Sequence, residues 1–323
     1  MEVWRPAGFD AGRCRAARRF ALGWKAGLAG LLLVLLAGCG GGGGGGGGGA
    51  DTGGTSIPAP AAPPLVGAAS SPVVAAPVIV GPAGYSLVWN DEFDVNGLPD
   101  PAKWDYDTDR NRAGWYNNEL QYYARDRPEN ARVDSGRLVI TARKESLSAL
   151  PDWGGQRYSS ARLVTRGKAS WTYGFIEIRA KLPCGIGTWP ALWTLGTRGS
   201  WPLDGEIDIM EQVGSNPTRI FGTIHTQLSG GSGTGAATQV SDACSQFHDY
   251  QLRWTPDEIA IGVDGVTYYL ASNPRTAYNA WPFDFAQYLL LNIAIGGDLG
   301  GPVNDAIFPV TMEIDHVRVF QRP

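Results

Sequence analysis

From Tyr85 onward, apolar and polar residues alternate in short runs separated by turn residues. Arg137–Arg143 and Gly174–Leu182 alternate residue by residue, and Tyr250–Trp254, Ile259–Val263, Thr267–Leu270, Tyr288–Ile295 and Met312–Phe320 are of strand length. A period of two places alternate side chains on opposite faces of a strand. Asp264-Gly265, between Val263 and Val266, is the residue pair that a type I′ hairpin turn favours. No long segment has the 3.6-residue period of an amphipathic helix. The pattern predicts one all-β domain over residues 84–323, a sandwich or jelly roll. Compact closure predicts that its first strand, Leu87–Trp89, lies near its last, Val317–Phe320.

One run breaks the pattern in an informative way. Asp204–Gly214 places Glu206, Asp208 and Glu211 among Ile207, Ile209, Met210 and Val213. Glu206 and Asp208 share a strand face, whereas Glu211 has the parity of the isoleucines. One extra residue at Met210, looped out as a β-bulge, returns Glu211 to the face of the other two acids. Three acids on one face repel one another, which is the condition for perturbed, chemically useful carboxyls. An exposed acidic strand face is the plainer alternative, but it leaves the nearby tryptophans unexplained.

The N-terminal quarter has a different composition. Arg13, Arg15, Arg18, Arg19 and Lys25 precede an apolar run, Ala26–Leu36, too short for a permanent membrane span. The run ends in Leu36-Ala37-Gly38-Cys39, which resembles a bacterial lipobox with Cys39 as the lipidated residue. Residues 1–39 are therefore expected to be a lipoprotein signal segment. Residues 40–83, opening with ten glycines and continuing rich in Ala, Pro and Gly, are expected to be a flexible linker. The expectation is an exported bacterial lipoprotein at the outer membrane or cell surface, its membrane contact an N-terminal lipid anchor.

Composition narrows the partners. A net charge of −4, with 18% charged residues, gives no basic footprint for nucleic acid. Twelve Trp and twelve Tyr suit carbohydrate-sized aromatic surfaces as well as a core. With Cys14 in the signal segment and Cys39 as the anchor, Cys184 and Cys244 remain as an even pair in an oxidising compartment, predicting a disulfide. A monomer is expected.

The chain resembles the laminarinase-like endo-β-1,3-glucanases of glycoside hydrolase family 16. The resemblance runs through Trp89–Phe93, Asn117–Tyr122, Arg127–Asn130, Ser160–Leu163, Tyr173-Gly174, Arg179–Pro183, Gly187–Trp193, the acidic segment, Ile224–Thr226, Leu291–Gly297 and Asp315–Val319. It implies a concave β-jelly roll with a polysaccharide lying along the inner sheet. It also implies Glu206 as nucleophile, Glu211 as general acid/base and Asp208 as an assisting residue in a retaining double displacement. Such enzymes need two carboxyl groups roughly 5–5.5 Å apart, so the two glutamates must converge on a curved sheet.

By the same resemblance Trp189 and Trp193, four apart and hence on one face, would lie under the sugar rings. Trp115 and Asn118 would line the non-reducing side, Arg162 would contact sugar hydroxyls, and His225 would bond either the acid/base or the aglycone sugar. Trp201 would wall the cleft or simply pack. Catalysis would need no cofactor, while a structural Ca2+ would use Glu92, Gly136 and Asp315. Gln212 and His316 stand where the family commonly has aromatics; Gln212 adjoins the acid/base, where it would alter a subsite, but in a regular strand it points to the opposite face. The implied substrate is laminarin-like β-1,3-glucan, with mixed β-1,3/1,4-glucan also within reach. Another β-linked polysaccharide such as a galactan, transglycosylation, or glucan binding without catalysis are the alternatives.

Overall fold

The computed structural model describes residues 83–323. The signal segment, Cys39 and linker residues 40–82 lie outside the described residues. The strands are, in chain order, β1 (Ser86–Asp91), β2 (Asp105–Tyr106), β3 (Gln121–Tyr123), β4 (Ala131–Val133), β5 (Leu138–Lys144) and β6 (Tyr158–Ser160). Then follow β7 (Arg162–Val164), β8 (Gly174–Lys181), β9 (Thr188–Gly196), β10 (Glu206–Val213), β11 (Asn216–His225) and β12 (Thr234–Gln239). The last five are β13 (His248–Trp254), β14 (Glu258–Val263), β15 (Val266–Ser272), β16 (Gln287–Ile295) and β17 (Val310–Gln321). Among the described residues, helix is confined to single turns, the longest being Gly297–Gly300.

Two sheets form a β-jelly-roll sandwich. One has the order β15-β14-β13-β8-β17-β5-β6-β3, with β1 added to β17 and β4 to β5; the other runs β12-β11-β10-β9-β16-β7-β2. The first and last strands do pair, Leu87 opposite Phe320 and Trp89 opposite Val319. The predicted hairpin is present between β14 and β15, with Asp264 and Gly265 both at positive φ, as a type I′ turn requires.

Alternation explains which face each strand buries. Ile207 and Ile209 of β10, Leu192 of β9, and Leu289, Leu291 and Ile293 of β16 meet Ile176 and Ile178 of β8, Leu252 of β13 and Ile261 of β14 in one continuous core. Each large aliphatic side chain so buried contributes about 1.5–3 kcal/mol. The seven-stranded sheet spends its inward positions on this core, and its outward positions carry the polar residues described next.

The cysteines lie in the connections flanking this core. Cys184 and Cys244 have Cα atoms 5.7 Å apart and bonded sulfurs. Gln212 takes the opposite face expected of it and reaches no subsite: it is fully buried on the inward side of β10. Its amide donates to the carbonyl of Pro217 at 2.7 Å and lies 3.8 Å from the Cys244 sulfur. His316 is likewise buried, on the other sheet, between Asp315 and Glu177.

Candidate active site

The acidic strand is irregular where parity demands it. Against β11, Asp208 pairs with Thr223 and Glu211 with Phe221, so β10 uses one residue more than its partner over the same stretch. Against β9 the pairing passes from Asp208–Trp193 to Met210–Leu192. The skipped residue on that side is Ile209, which corrects the expectation of a bulge at Met210 alone. Ile209 and Met210 both turn into the core, with no exposed surface. Two consecutive inward residues are affordable because both are apolar, and Glu211 thereby emerges on the face of Glu206 and Asp208.

The three acids meet different surroundings. Glu206 is half-buried and accepts a hydrogen bond from the indole N–H of Trp201. Glu211 accepts one from Trp189 Nε1 at 2.9 Å. Burial raises the Glu211 carboxyl, the Trp189 bond opposes the rise, and the charge of Glu206 adds to it, for a value of about 7. Asp208, only 3% exposed, is pushed well above the ordinary carboxylate range by burial and then by the charges of Glu206 and Glu211.

His225, the cross-strand partner of Glu206, faces Asp208 and not Glu211. Its Nε2 lies 3.0 Å from Asp208 Oδ2, and its Nδ1 lies 2.8 Å from the carbonyl of Gly231. Burial would lower the imidazole, but the contact with Asp208 outweighs burial and lifts it to about 10. Asp208 and His225 are therefore a coupled pair, facing each other across 3.0 Å.

Loops complete the wall. Ser200 and Asp204 close the turn before β10 through two hydrogen bonds, and Tyr278 donates to Asp204 Oδ1 at 2.7 Å. The turn holds Trp201 57% exposed beside His225, ring centroids 6.2 Å apart. A Cβ on Gly231 would come within 2.7 Å of the Trp201 ring, so only glycine lets the 226–233 loop close on it.

Trp189 and Trp193 share the outward face of β9, both half-buried. Trp193 Nε1 donates to Asn292 Oδ1 at 2.7 Å, and Asn292 Nδ2 donates to the Tyr123 hydroxyl at 3.0 Å. Two expectations change here. Arg162 is 7% exposed, pairs with Asp107 at 3.2 Å, and lies 4.6 Å from the Trp193 ring and 5.1 Å from the Trp115 ring. It braces the aromatic wall from within and is not an open sugar contact. Trp115 is also buried, donating to Asn111 Oδ1 at 3.1 Å, because Arg162 and Tyr123 cover it. Asn118 remains exposed and donates to Asp298 at 2.7 Å.

Two participants, Glu119 and Asn292, were not singled out by sequence reasoning. Glu119 accepts from Gln121 at 2.8 Å, and burial raises its carboxyl. Asn292 orders Trp193, while Trp201, expected either to wall the cleft or to pack, stands exposed at the wall and engages Glu206. Asn292 did leave a signal, being a polar residue inside the apolar run Tyr288–Ile295, where a buried amide must find partners.

A β-sandwich bearing two carboxyl groups of unlike environment on one outward, tryptophan-lined face is the working part of a glycoside hydrolase. The chain belongs to glycosyl hydrolases family 16, whose model matches residues 118–307. It is 50% identical over 252 residues to a β-glucanase of Rhodothermus marinus, covering 73% of this chain and 85% of that one. A glucan endo-1,3-β-glucosidase of Cryptopygus antarcticus is 36% identical over 253 residues, covering 72% and 90%. Among solved structures, a family 16 non-specific endo-β-1,3(4)-glucanase variant with a bound glucan oligosaccharide superposes with a TM-score of 0.74. It is 52% identical, and the match covers 76% of this chain and 99% of that one.

Proposed function

We propose that the chain cleaves β-1,3-glucan internally with retention of configuration, and that mixed β-1,3/1,4-glucan is also a substrate. The observation that carries this reading is the bulge at Ile209–Met210, which puts Glu206 and Glu211 on one face in unlike environments. Glu206, held at one oxygen by Trp201, attacks the anomeric carbon. Glu211, with its proton retained up to about pH 7, protonates the leaving oxygen and then, ionised, activates the water that resolves the glycosyl-enzyme. Asp208, whose carboxyl is pushed well above its ordinary range by burial and then by the charges of Glu206 and Glu211, adds little repulsion to the charge on Glu206. Trp189 and Trp193 offer their faces to the sugar rings. The names of the β-glucanase and glucosidase relatives support the choice of glucan. Incubation with laminarin, product chromatography and NMR of the first-formed anomer test it; no oligosaccharides from laminarin, or an inverted first product, would overturn it.

Two further parts belong to the same reading. The first is a structural Ca2+ at Glu92, Gly136 and Asp315. On one edge of β17, β5 ends its pairing at Ile314 and β1 begins at Val317, while β8 skips Asp315. Glu92 and Gly136 flank that gap, and Asp315 has unpaired backbone within it. The Glu92 carboxylate is held by Arg318 at 2.9 and 2.7 Å, so its contribution would be the main-chain carbonyl. These oxygen donors fit Ca2+. The second is export and lipid anchoring through Cys39, with residues 40–83 as tether and 84–323 as the catalytic domain. The apolar run Ala26–Leu36 and its Leu-Ala-Gly-Cys ending support it. Release of active protein from membranes by Cys39→Ser is the expected outcome, checked by cell fractionation.

A further inference from the structure

We propose that Glu206, Asp208 and His225 form a binding site for a borderline divalent transition metal, Zn2+, and that occupancy of this site shuts the enzyme off. The proposal rests on the reading of Glu206 as the nucleophile for its consequence, but not for the binding itself. One ligand atom from each of the three residues lies within 4.8 Å of the others. Asp208 Oδ2 and His225 Nε2, 3.0 Å apart, need open only slightly to reach the roughly 3.4 Å between tetrahedral ligands with bonds of about 2.1 Å.

Three features distinguish this set from an ordinary acidic surface. The imidazole is oriented as a metal ligand's is: the Nδ1 side engages the carbonyl of Gly231 and Nε2 faces Asp208, so a metal would take the place of the Nε2 proton. Asp208 is 3% exposed, and its Oδ2, aimed into the cluster, lies 3.0 Å from His225 Nε2 without a well-aligned hydrogen bond. Trp201 engages only Oε2 of Glu206, so the other oxygen remains for a metal. Glu206 and His225 are half-buried and open to the cleft, which supplies an entry path and a fourth position for water.

The donor set selects the metal. One nitrogen and two carboxylate oxygens suit Zn2+, whereas Ca2+ and Mg2+ prefer all-oxygen shells of higher coordination number. A metal here would hold the Glu206 carboxylate by coordination and fill the space in which the anomeric carbon must be attacked. The same three residues would then serve catalysis when empty and inhibition when loaded.

Calorimetric titration of ZnCl2 into the full chain, in a metal-free and non-chelating buffer, tests binding directly. One site is expected, its loss more than about tenfold in affinity in His225→Gln. His248→Gln, which alters the separate imidazole between Asp242 and Asp264, should leave it intact. Co2+ in place of Zn2+ should give the visible bands of a four-coordinate ion in wild type and not in His225→Gln. Laminarin hydrolysis should fall in step with occupancy and return on adding chelator. If His225→Gln fails to fold, as judged by its melting curve, Glu206→Gln serves as the ligand-deleted variant. No binding at millimolar Zn2+, or binding lost in His248→Gln but kept in His225→Gln, overturns the proposal. Full occupancy without loss of hydrolysis overturns its inhibitory half. A metal-free protein inactive on laminarin would count against the glucanase reading alone, since calorimetry decides the metal site independently.

Discussion

Glu211 is the residue at which opposing influences balance. Burial and the charge of Glu206 lift its carboxyl to about 7, while the Trp189 N–H holds it down by favouring the ionised form. As the general acid it must be protonated, so kcat/KM should fall as pH rises through about 7. Trp189→Phe keeps an aromatic face but removes the donor, and should move that alkaline limb to higher pH; an unmoved limb in a pH–rate profile would exclude this role for the indole. Glu211→Gln should lose about 10²–10⁴-fold in kcat on glucan. Much less should be lost on an aryl glycoside whose leaving group needs no proton.

The same shift has a stability consequence. The folded state keeps a proton that the unfolded chain gives up near the ordinary value of 4.5. The associated stabilisation is complete below that pH and is lost as pH rises through about 7. Glu211→Gln should therefore show a flatter dependence of Tm on pH across this window than wild type. Parallel profiles from calorimetric scans would remove Glu211 as the cause.

At the scale of elements, the bulge in β10 is the device on which the site depends, and it is braced from the opposite sheet. Gly222 of β11 lies across from Ile209 and Met210, between the paired Thr223 and Phe221. A Cβ there would stand 2.7 Å from the Tyr268 hydroxyl and 2.8 Å from Ile261 Cγ2. Gly222→Ala should cost about 1–3 kcal/mol by overpacking and lower kcat by displacing the bulged segment. Tyr268→Phe in that background removes one of the two clashing atoms and should restore part of both losses. Urea unfolding and steady-state kinetics on the single and double variants check this, and a strictly additive double variant would argue against the shared clash.

At the scale of the molecule, two ties secure distant parts of the chain. The Cys184–Cys244 bond closes a loop of sequence separation 60, for which chain entropy alone suggests about 4 kcal/mol. Reductant should lower the unfolding midpoint accordingly, and a Cys184→Ala/Cys244→Ala variant should be insensitive to it. The proposed Ca2+ would add about 2.7 kcal/mol at a concentration one hundred times its Kd. Tm should therefore drop with EDTA and recover with CaCl2; a Tm indifferent to both would dismiss the ion.

What the sequence by itself determined is local. Strand runs of period two, the Asp-Gly turn and the parity of Glu206, Asp208 and Glu211 are fixed within a few residues of each other, because side-chain direction along a strand follows from backbone geometry alone. The need for a bulge followed from that parity. Its position did not, because whether Ile209 or Met210 goes unpaired is decided by the register of β9 and β11. The tertiary structure also decided which residues face the cleft. Trp115 and Arg162 have the composition of sugar contacts, yet packing from other strands closes over them. Asn292 gains its role only because the fold brings β16 beside Trp193, and Glu119 becomes a perturbed carboxyl only because the fold buries it. Burial and pairing across sheets are properties of neighbours distant in sequence, and these set the unlike environments that turn three similar acids into different chemical groups.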